Sequence, residues 1–258
     1  MDMKTVFGFF AGVAMLSAAC EAGPSFLLAG DSTLDDYGRK PRPPYASWGT
    51  ELEKSMKPGC RVDNYAKSGA STKSFIEAGY WTNLVAAIKP GDYVGIQFGH
   101  NDQKFNTRFY LEKRFAPPDG LFKDNVRRFV SDVRAKGGKP VLMSPIVRGT
   151  FGKDGKLRDT PNGKGISLLS YRKAMRELSE ELNTDYVDMN QLTRDLMNGI
   201  GKEASMKFFV ISTGLVRSKD GEPSKDVTHP VAAGAQAFSK LFIDDVKARK
   251  LEIAELFK

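Results

Sequence analysis

Leu27-Leu28-Ala29-Gly30-Asp31-Ser32-Thr33 closes an apolar run, Phe26 to Ala29, on a glycine followed by polar residues. A run this short, ended by glycine, reads as a buried strand leaving a sheet edge. In an open α/β sheet, ligands bind outside the carboxyl ends of the strands. A serine set down there presents its hydroxyl, and a helix that follows would add backbone N–H groups around it. Gly-Asp-Ser alone also fits an ordinary strand-to-loop turn, so the rest of the chain must supply what a reactive serine needs.

Outward from Ser32, apolar runs and helical spacings alternate. A polar, proline-rich segment from Arg39 to Pro44 precedes a helix-like stretch, Ala46 to Met56, that Pro58-Gly59 stops. Cys60 to Ala66 reads as a second strand, with Ser68-Gly69-Ala70-Ser71 as the turn leaving it. Helical spacing around Trp81 to Ile88 leads to a third strand, Asp92 to Phe98, that ends in Gly99-His100-Asn101-Asp102. Leu121 to Ala135 is helical, with Val126, Phe129, Val130 and Val133 on one side. Pro140 to Met143 reads as the fourth strand, Ile166 to Leu182 as a helix and Tyr186 to Asp188 as a short fifth strand. Helices around Gln191 to Met197 and Ala232 to Leu251 complete the chain. This alternation predicts a mainly parallel sheet covered on both faces, with right-handed crossovers. Two long loops, 145–165 and roughly 200–225, stand out, and the first leaves the fourth strand at the same edge as Ser32.

The chain has 258 residues, of which 41% are hydrophobic, enough for a substantial core. No repeat, low-complexity tract or linker composition divides it, so residues 23–258 are expected to form one domain. Residues 1–22 differ: Lys4, an apolar stretch from Val6 to Leu16, then Ser17-Ala18-Ala19 form a secretory signal pattern. The apolar part is shorter than the roughly 20 residues a spanning helix needs. Export is expected, to the periplasm or the outside; Cys20 loosely resembles a lipoprotein cleavage site, so a lipid anchor there is an alternative. Cys60 would then be a lone thiol, expected to be buried on a strand. Net charge is +8, and cleavage after Ala19, which removes Asp2 and Lys4, would leave it unchanged. Such a balance suits a polyanionic partner. Nucleic acid is disfavoured, since there is no zinc-finger spacing or RNA-binding aromatic motif and the basic residues are spread along the chain.

A nucleophilic serine needs a base, a group that orients the base, and donors for the oxyanion. There are only two histidines. His229 lies in Asp226-Val227-Thr228-His229-Pro230, where a turn can set the Asp226 carboxylate beside one ring nitrogen and fix the tautomer. The competing reading is a helix-capping aspartate with an incidental histidine. His100, beside Asn101, reads as a residue that holds its loop by hydrogen bonding. Candidate oxyanion donors are the Ser32 N–H, the Gly69 N–H and the Asn101 side-chain amide, delivered by three successive strands to one edge. No HExxH, cysteine cluster or phosphate loop is present, and no metal or cofactor is expected. The absence of GxSxG argues against an α/β-hydrolase nucleophile elbow.

Gly30-Asp31-Ser32, Gly69, Gly99-His100-Asn101-Asp102 and Asp226-xx-His229 together resemble the SGNH (GDSL) hydrolases. AGDST (29–33), GAST (69–72), FGHNDQK (Phe98–Lys104), SPIVR (Ser144–Arg148) and DVTHP (226–230) are similar to the rhamnogalacturonan acetylesterase group of carbohydrate esterases. The resemblance runs from about Phe26 to the C-terminal helix. It implies a three-layer α/β/α sandwich of flavodoxin-like topology, with a five-stranded parallel sheet in the order 2-1-3-4-5. It implies Ser32 as nucleophile, Asp226 and His229 as the rest of a triad, and Ser32, Gly69 and Asn101 as the oxyanion hole. Ala70 stands where the family often has arginine, Val227 where it has Asn or Gly, and 161–168 departs from the usual pattern; these bear on the glycan rather than the chemistry. The expected activity is acetate removal from an acidic plant-wall polysaccharide, rhamnogalacturonan or pectin, by a monomer. The alternatives are a xylan acetylesterase, another esterase or lipase, or a glycan-binding protein without activity.

Overall fold

The computed structural model describes residues 23–38, 42–105, 111–162 and 164–258. The leader-like residues 1–22, with Cys20, and Arg39 at the start of the proline-rich segment lie outside them. Five parallel strands, β1 (Ser25–Gly30), β2 (Arg61–Asn64), β3 (Tyr93–Gln97), β4 (Lys139–Met143) and β5 (Asp185–Val187), form one sheet in the order β2-β1-β3-β4-β5. Chain order reverses between β1 and β3, so the crevice at their carboxyl ends is the topological switch point.

Strand side chains alternate between faces, and the packing follows that period. Phe26, Leu28, Val141, Met143 and Val187 join one core cluster with Trp48, Met197, Phe238 and Phe242. These last come from α1 (Trp48–Glu51), α7 (Met189–Met206) and α8 (Ala232–Ala248). Leu27, Ala29, Val94, Ile96 and Leu142 face the opposite cluster, built with Phe75, Trp81, Phe129 and Leu178. Those four come from α2 (Thr72–Glu77), α3 (Tyr80–Ala87), α5 (Leu121–Ala135) and α6 (Leu168–Glu181). A short α4 (Leu111–Arg114) precedes α5. The result is the expected three-layer sandwich, with β1 buried along its whole length.

Several local expectations are corrected. The helix expected from Ala46 to Met56 is one α-turn, capped by the Ser47 side chain, followed by a 3-10 turn, Leu52–Ser55. Past the Ser68–Ser71 turn the chain enters α2 directly, because Ser71 and Ser74 form a reciprocal capping box. The loop expected from about residue 200 begins later: α7 continues to Met206 across a break at Gly201, whose φ is 80°. A 3-10 turn, Val210–Thr213, follows. Cys60 is half-buried and precedes β2 rather than lying on it. No helix among the described residues is long and apolar enough to cross a membrane.

Candidate active site

Beyond Gly30 the chain doubles back at once, the Leu34 N–H donating to the Asp31 carbonyl. A Cβ on Gly30 would lie 2.6 Å from Leu34 Cδ1 and 3.0 Å from the Gln97 carbonyl oxygen, so the turn needs a glycine here. Asp31 is buried and holds the turn from inside, accepting from the Thr33 N–H at 2.9 Å. Burial pushes its carboxyl up, only partly offset by Thr33. The Ser32 carbonyl accepts from Tyr37 Oη at 2.8 Å, and burial pushes that phenol up to about 12. Ser32 is thus fixed two residues past β1, with its side chain facing the switch point.

Oγ of Ser32 lies 2.8 Å from Nε2 of His229, across 197 residues of sequence. Nδ1 of the same ring lies 2.7 Å from Asp226 Oδ2. The local reason is an aspartate-initiated turn: Asp226 Oδ1 accepts from the N–H groups of Thr228 and His229 at 2.9 and 3.0 Å, leaving Oδ2 for the ring. Burial pushes the Asp226 carboxyl up, but the His229 ring and these backbone donors outweigh it and hold it below the ordinary value. Backbone bonds from Val210 N–H to His229 O and from Gly149 N–H to Val227 O anchor the turn from both sides. Tyr45 stands edge-on to the imidazole, centroids 5.5 Å apart. The Asp226 carboxylate and the Ser32 hydroxyl thus occupy both ring nitrogens.

The three candidate oxyanion donors sit in turns leaving β1, β2 and β3. The N–H groups of Ser32 and Gly69 donate to no protein acceptor among the described residues. Gly69 has φ 82°, and a Cβ there would press on Arg114 at 3.1 Å. Asn101 Nδ2 donates one hydrogen to the Ala70 carbonyl at 2.8 Å, while Lys104 Nζ donates to its Oδ1 at 2.8 Å. That fixes the amide's orientation and leaves its second N–H available. The Asn101 turn is in turn tied to α2, since Asp102 Oδ1 accepts from both the N–H and hydroxyl of Thr72.

His100 is buried, 3% exposed, and the expectation that its ring holds the loop by hydrogen bonding is corrected. Neither ring nitrogen makes a hydrogen bond of good geometry among the described residues, the approach to the Ile146 backbone included. Burial, reinforced by Arg148, holds its pKa well below the ordinary histidine value. Sequence reasoning also missed how Arg148 is held. With the Gln103 amide oxygen turned toward it, as the hydrogen-bond pattern requires, that oxygen accepts from Nη1 and Nη2 at 2.6 and 2.8 Å. Asn162 Nδ2 donates to the Gln103 carbonyl at 2.6 Å. Loop 145–165 is thereby fastened to both the Asn101 and Asp226 turns. Both members of the Arg148–Gln103 pair stood in quoted motifs, but only the approach of two loops reveals that they meet.

Beside Gly69 and Ala70 opens a groove of about 590 Å³, which Tyr37, Lys67 and Tyr80 also line. The pieces therefore converge on one edge: a hydroxyl bonded to an imidazole, a carboxylate behind it, uncommitted donors, and a groove alongside. Such a set can carry acyl transfer.

Comparison with known proteins agrees. Residues 28–237 match the model of the GDSL-like Lipase/Acylhydrolase family. Rhamnogalacturonan acetylesterase RhgT of Bacillus subtilis is 32% identical over 88% of this chain and 91% of its own. The probable rhamnogalacturonan acetylesterase YesY of the same organism is 28% identical over 88% and 94%. Among solved structures, YxiM of Bacillus subtilis superposes with a TM-score of 0.69 at 26% identity, over 90% of this chain but only 58% of that one. Axe2, an acetylxylan esterase from Geobacillus stearothermophilus, shares the fold at a TM-score of 0.60 and 20% identity, over 88% and 95%. The match spans the turns that carry Ser32, Gly69, Asn101, Asp226 and His229, and the chain belongs to the GDSL-like Lipase/Acylhydrolase family of ester hydrolases.

Proposed function

We propose that this carbohydrate acetylesterase of the SGNH type removes O-acetyl groups from a pectic polysaccharide, rhamnogalacturonan first, through an acyl-enzyme on Ser32. His229 Nε2 takes the Ser32 proton as Oγ attacks the acetyl carbonyl, while Asp226 holds the ring by Nδ1–H and stabilises the imidazolium. The N–H groups of Ser32 and Gly69 and the free amide hydrogen of Asn101 receive the charge that develops on the carbonyl oxygen. As the tetrahedral species collapses, the sugar oxygen leaves with the proton from His229. Water, deprotonated by the same nitrogen, then attacks the acetyl-serine and releases acetate. The signal-like residues 1–22 suit export to where such a polysaccharide is found.

The observation that carries this reading is the Asp226–His229–Ser32 chain, 2.7 and 2.8 Å across its two links, assembled from the two ends of the sequence. The names of the Bacillus relatives and the net charge of +8 favour an acidic glycan over xylan. Acetate release should be measured from acetylated rhamnogalacturonan and acetylated xylan, beside hydrolysis of a long-chain ester. The expected order places rhamnogalacturonan first by at least about tenfold in kcat/KM, a difference of one charged contact. Preference for xylan, or for the long-chain ester, overturns the substrate.

A further inference from the structure

The groove beside Gly69 and Ala70 carries an unbalanced charge. Among the described residues its lining holds four cations, Arg42, Lys67, Lys113 and Arg114, and two carboxylates, Asp35 and Asp36. Asp35 Oδ2 accepts from the N–H of Ser68 at 2.8 Å and from its hydroxyl, and Asp36 Oδ1 accepts from the Gly38 N–H at 2.9 Å. Some cations elsewhere sit on acids, as Arg127 does on Glu181 at 2.7 Å and Lys240 on Asp244 at 2.6 Å. Arg42, Lys67 and Lys113 form no ion pair with any described residue. Instead Arg42 lies over the Tyr45 ring at 4.5 Å and Lys67 over Tyr80 at 5.7 Å. An aromatic face orients a cation without neutralising it. A concave wall with an excess of one sign focuses its field on whatever enters, and this wall begins at the turn that offers the Gly69 N–H.

We propose that the groove is an anionic-sugar subsite, where Arg42, Lys67 and Lys113 bind the carboxylate of a hexuronic acid on the same glycan that presents its acetyl group to Ser32. The half-buried Tyr80, which lines the groove, gives the pyranose ring an apolar surface beside the cations, as sugar-binding grooves need both. The assignment rests on the acetylesterase reading for its ester, but the charge selection is a property of the groove itself.

The test measures inhibition of 4-nitrophenyl acetate hydrolysis by an unacetylated oligogalacturonide and by a xylo-oligosaccharide of equal length. In the native enzyme the anionic sugar should inhibit at a concentration at least about tenfold lower, as expected for charged hydrogen bonds. That ratio should shrink as salt rises from about 0.05 to about 0.5 M. The Arg42→Gln/Lys113→Gln double variant alters two exposed side chains, and adding Lys67→Gln should bring the ratio to about one. Lys219→Gln, an exposed cation elsewhere, should leave it intact. Equal inhibition by the two sugars in the native enzyme overturns the subsite, and so does a preference that survives the triple variant. If the anionic preference behaves as stated but acetylated rhamnogalacturonan releases no acetate, the substrate reading falls and the subsite stands.

Discussion

Two turns at the same sheet edge each carry one of the chain's two histidines, and they treat it oppositely. In the turn after β3, His100 is buried near the Arg148 charge, and among the described residues neither ring nitrogen meets an acid or another good partner. In the turn before α8, His229 keeps 27% of its side chain exposed, with a carboxylate at one nitrogen and a hydroxyl at the other. Identical side chains thus become a neutral packing group and a candidate base. The difference lies in three features outside the ring: an acid that fixes the tautomer, access to substrate, and the sign of the neighbouring charge.

The strongest way to break this comparison is to remove each imidazole in turn. His229→Ala should lower kcat on 4-nitrophenyl acetate by on the order of 10⁴ to 10⁶, the scale on which serine triads fail when the base is lost. A loss below about tenfold would remove His229 from the chemistry. Next in size, Asn101→Ala should lower kcat by roughly 10² to 10³ with KM little changed, as for other single oxyanion donors. Unchanged turnover would assign the amide only to holding Ala70. His100→Ala should show the reverse pattern, losing about 2 kcal/mol of folding stability by urea titration, near the low end for deleting a large buried side chain. Its kcat should fall by less than about tenfold. A loss comparable to that of His229→Ala would end the distinction between the two turns.

How far the sequence could reveal these turns depended on distance along the chain. Asp226 and His229 are three residues apart, so one turn suffices to join them, and the spacing shows it. Ser32 and His229 are joined only by the sheet order, which the alternating apolar runs suggest and the family motifs specify. Environments are harder: nothing in Gly99-His100-Asn101-Asp102 says that the ring will be buried near Ile146 and the Arg148 charge. Likewise α2 is six residues long, too short for helical periodicity to emerge, and its Ser71–Ser74 capping box reads as a polar turn. Gly199 and Gly201 look like the end of α7, whereas only Gly201 leaves helical geometry and the chain resumes its helix beyond it.

The subtlest difference between the turns lies in their aspartates, and pH exposes it. Asp226 is held below its ordinary value, so its ionised form stabilises the fold above about pH 4, and that contribution is lost as pH falls. Asp102, beside His100, is the opposite case. Burial, only partly offset by the Thr72 donors, pushes it up to about 7, and Oδ2 meets no partner among the described residues. Between the unfolded value, about 3.9, and that folded value, the native protein keeps a proton that the unfolded chain has released. Folding stability therefore declines as pH rises through this window, and the contribution present below it is gone above about 7. Asp102→Asn keeps an oxygen for Thr72 and cannot ionise. Its urea midpoint should decline less than that of the native protein from about pH 4 to about pH 7, the two curves separating by up to about 4 kcal/mol. Parallel curves would mean that Asp102 ionises normally in the fold, and that the β3 turn is charged at neutral pH much as the Asp226 turn is. Curves that diverge leave the β3 turn as a low-charge support, which lets Asn101 offer its amide to a developing oxyanion with no carboxylate immediately behind it to oppose that charge.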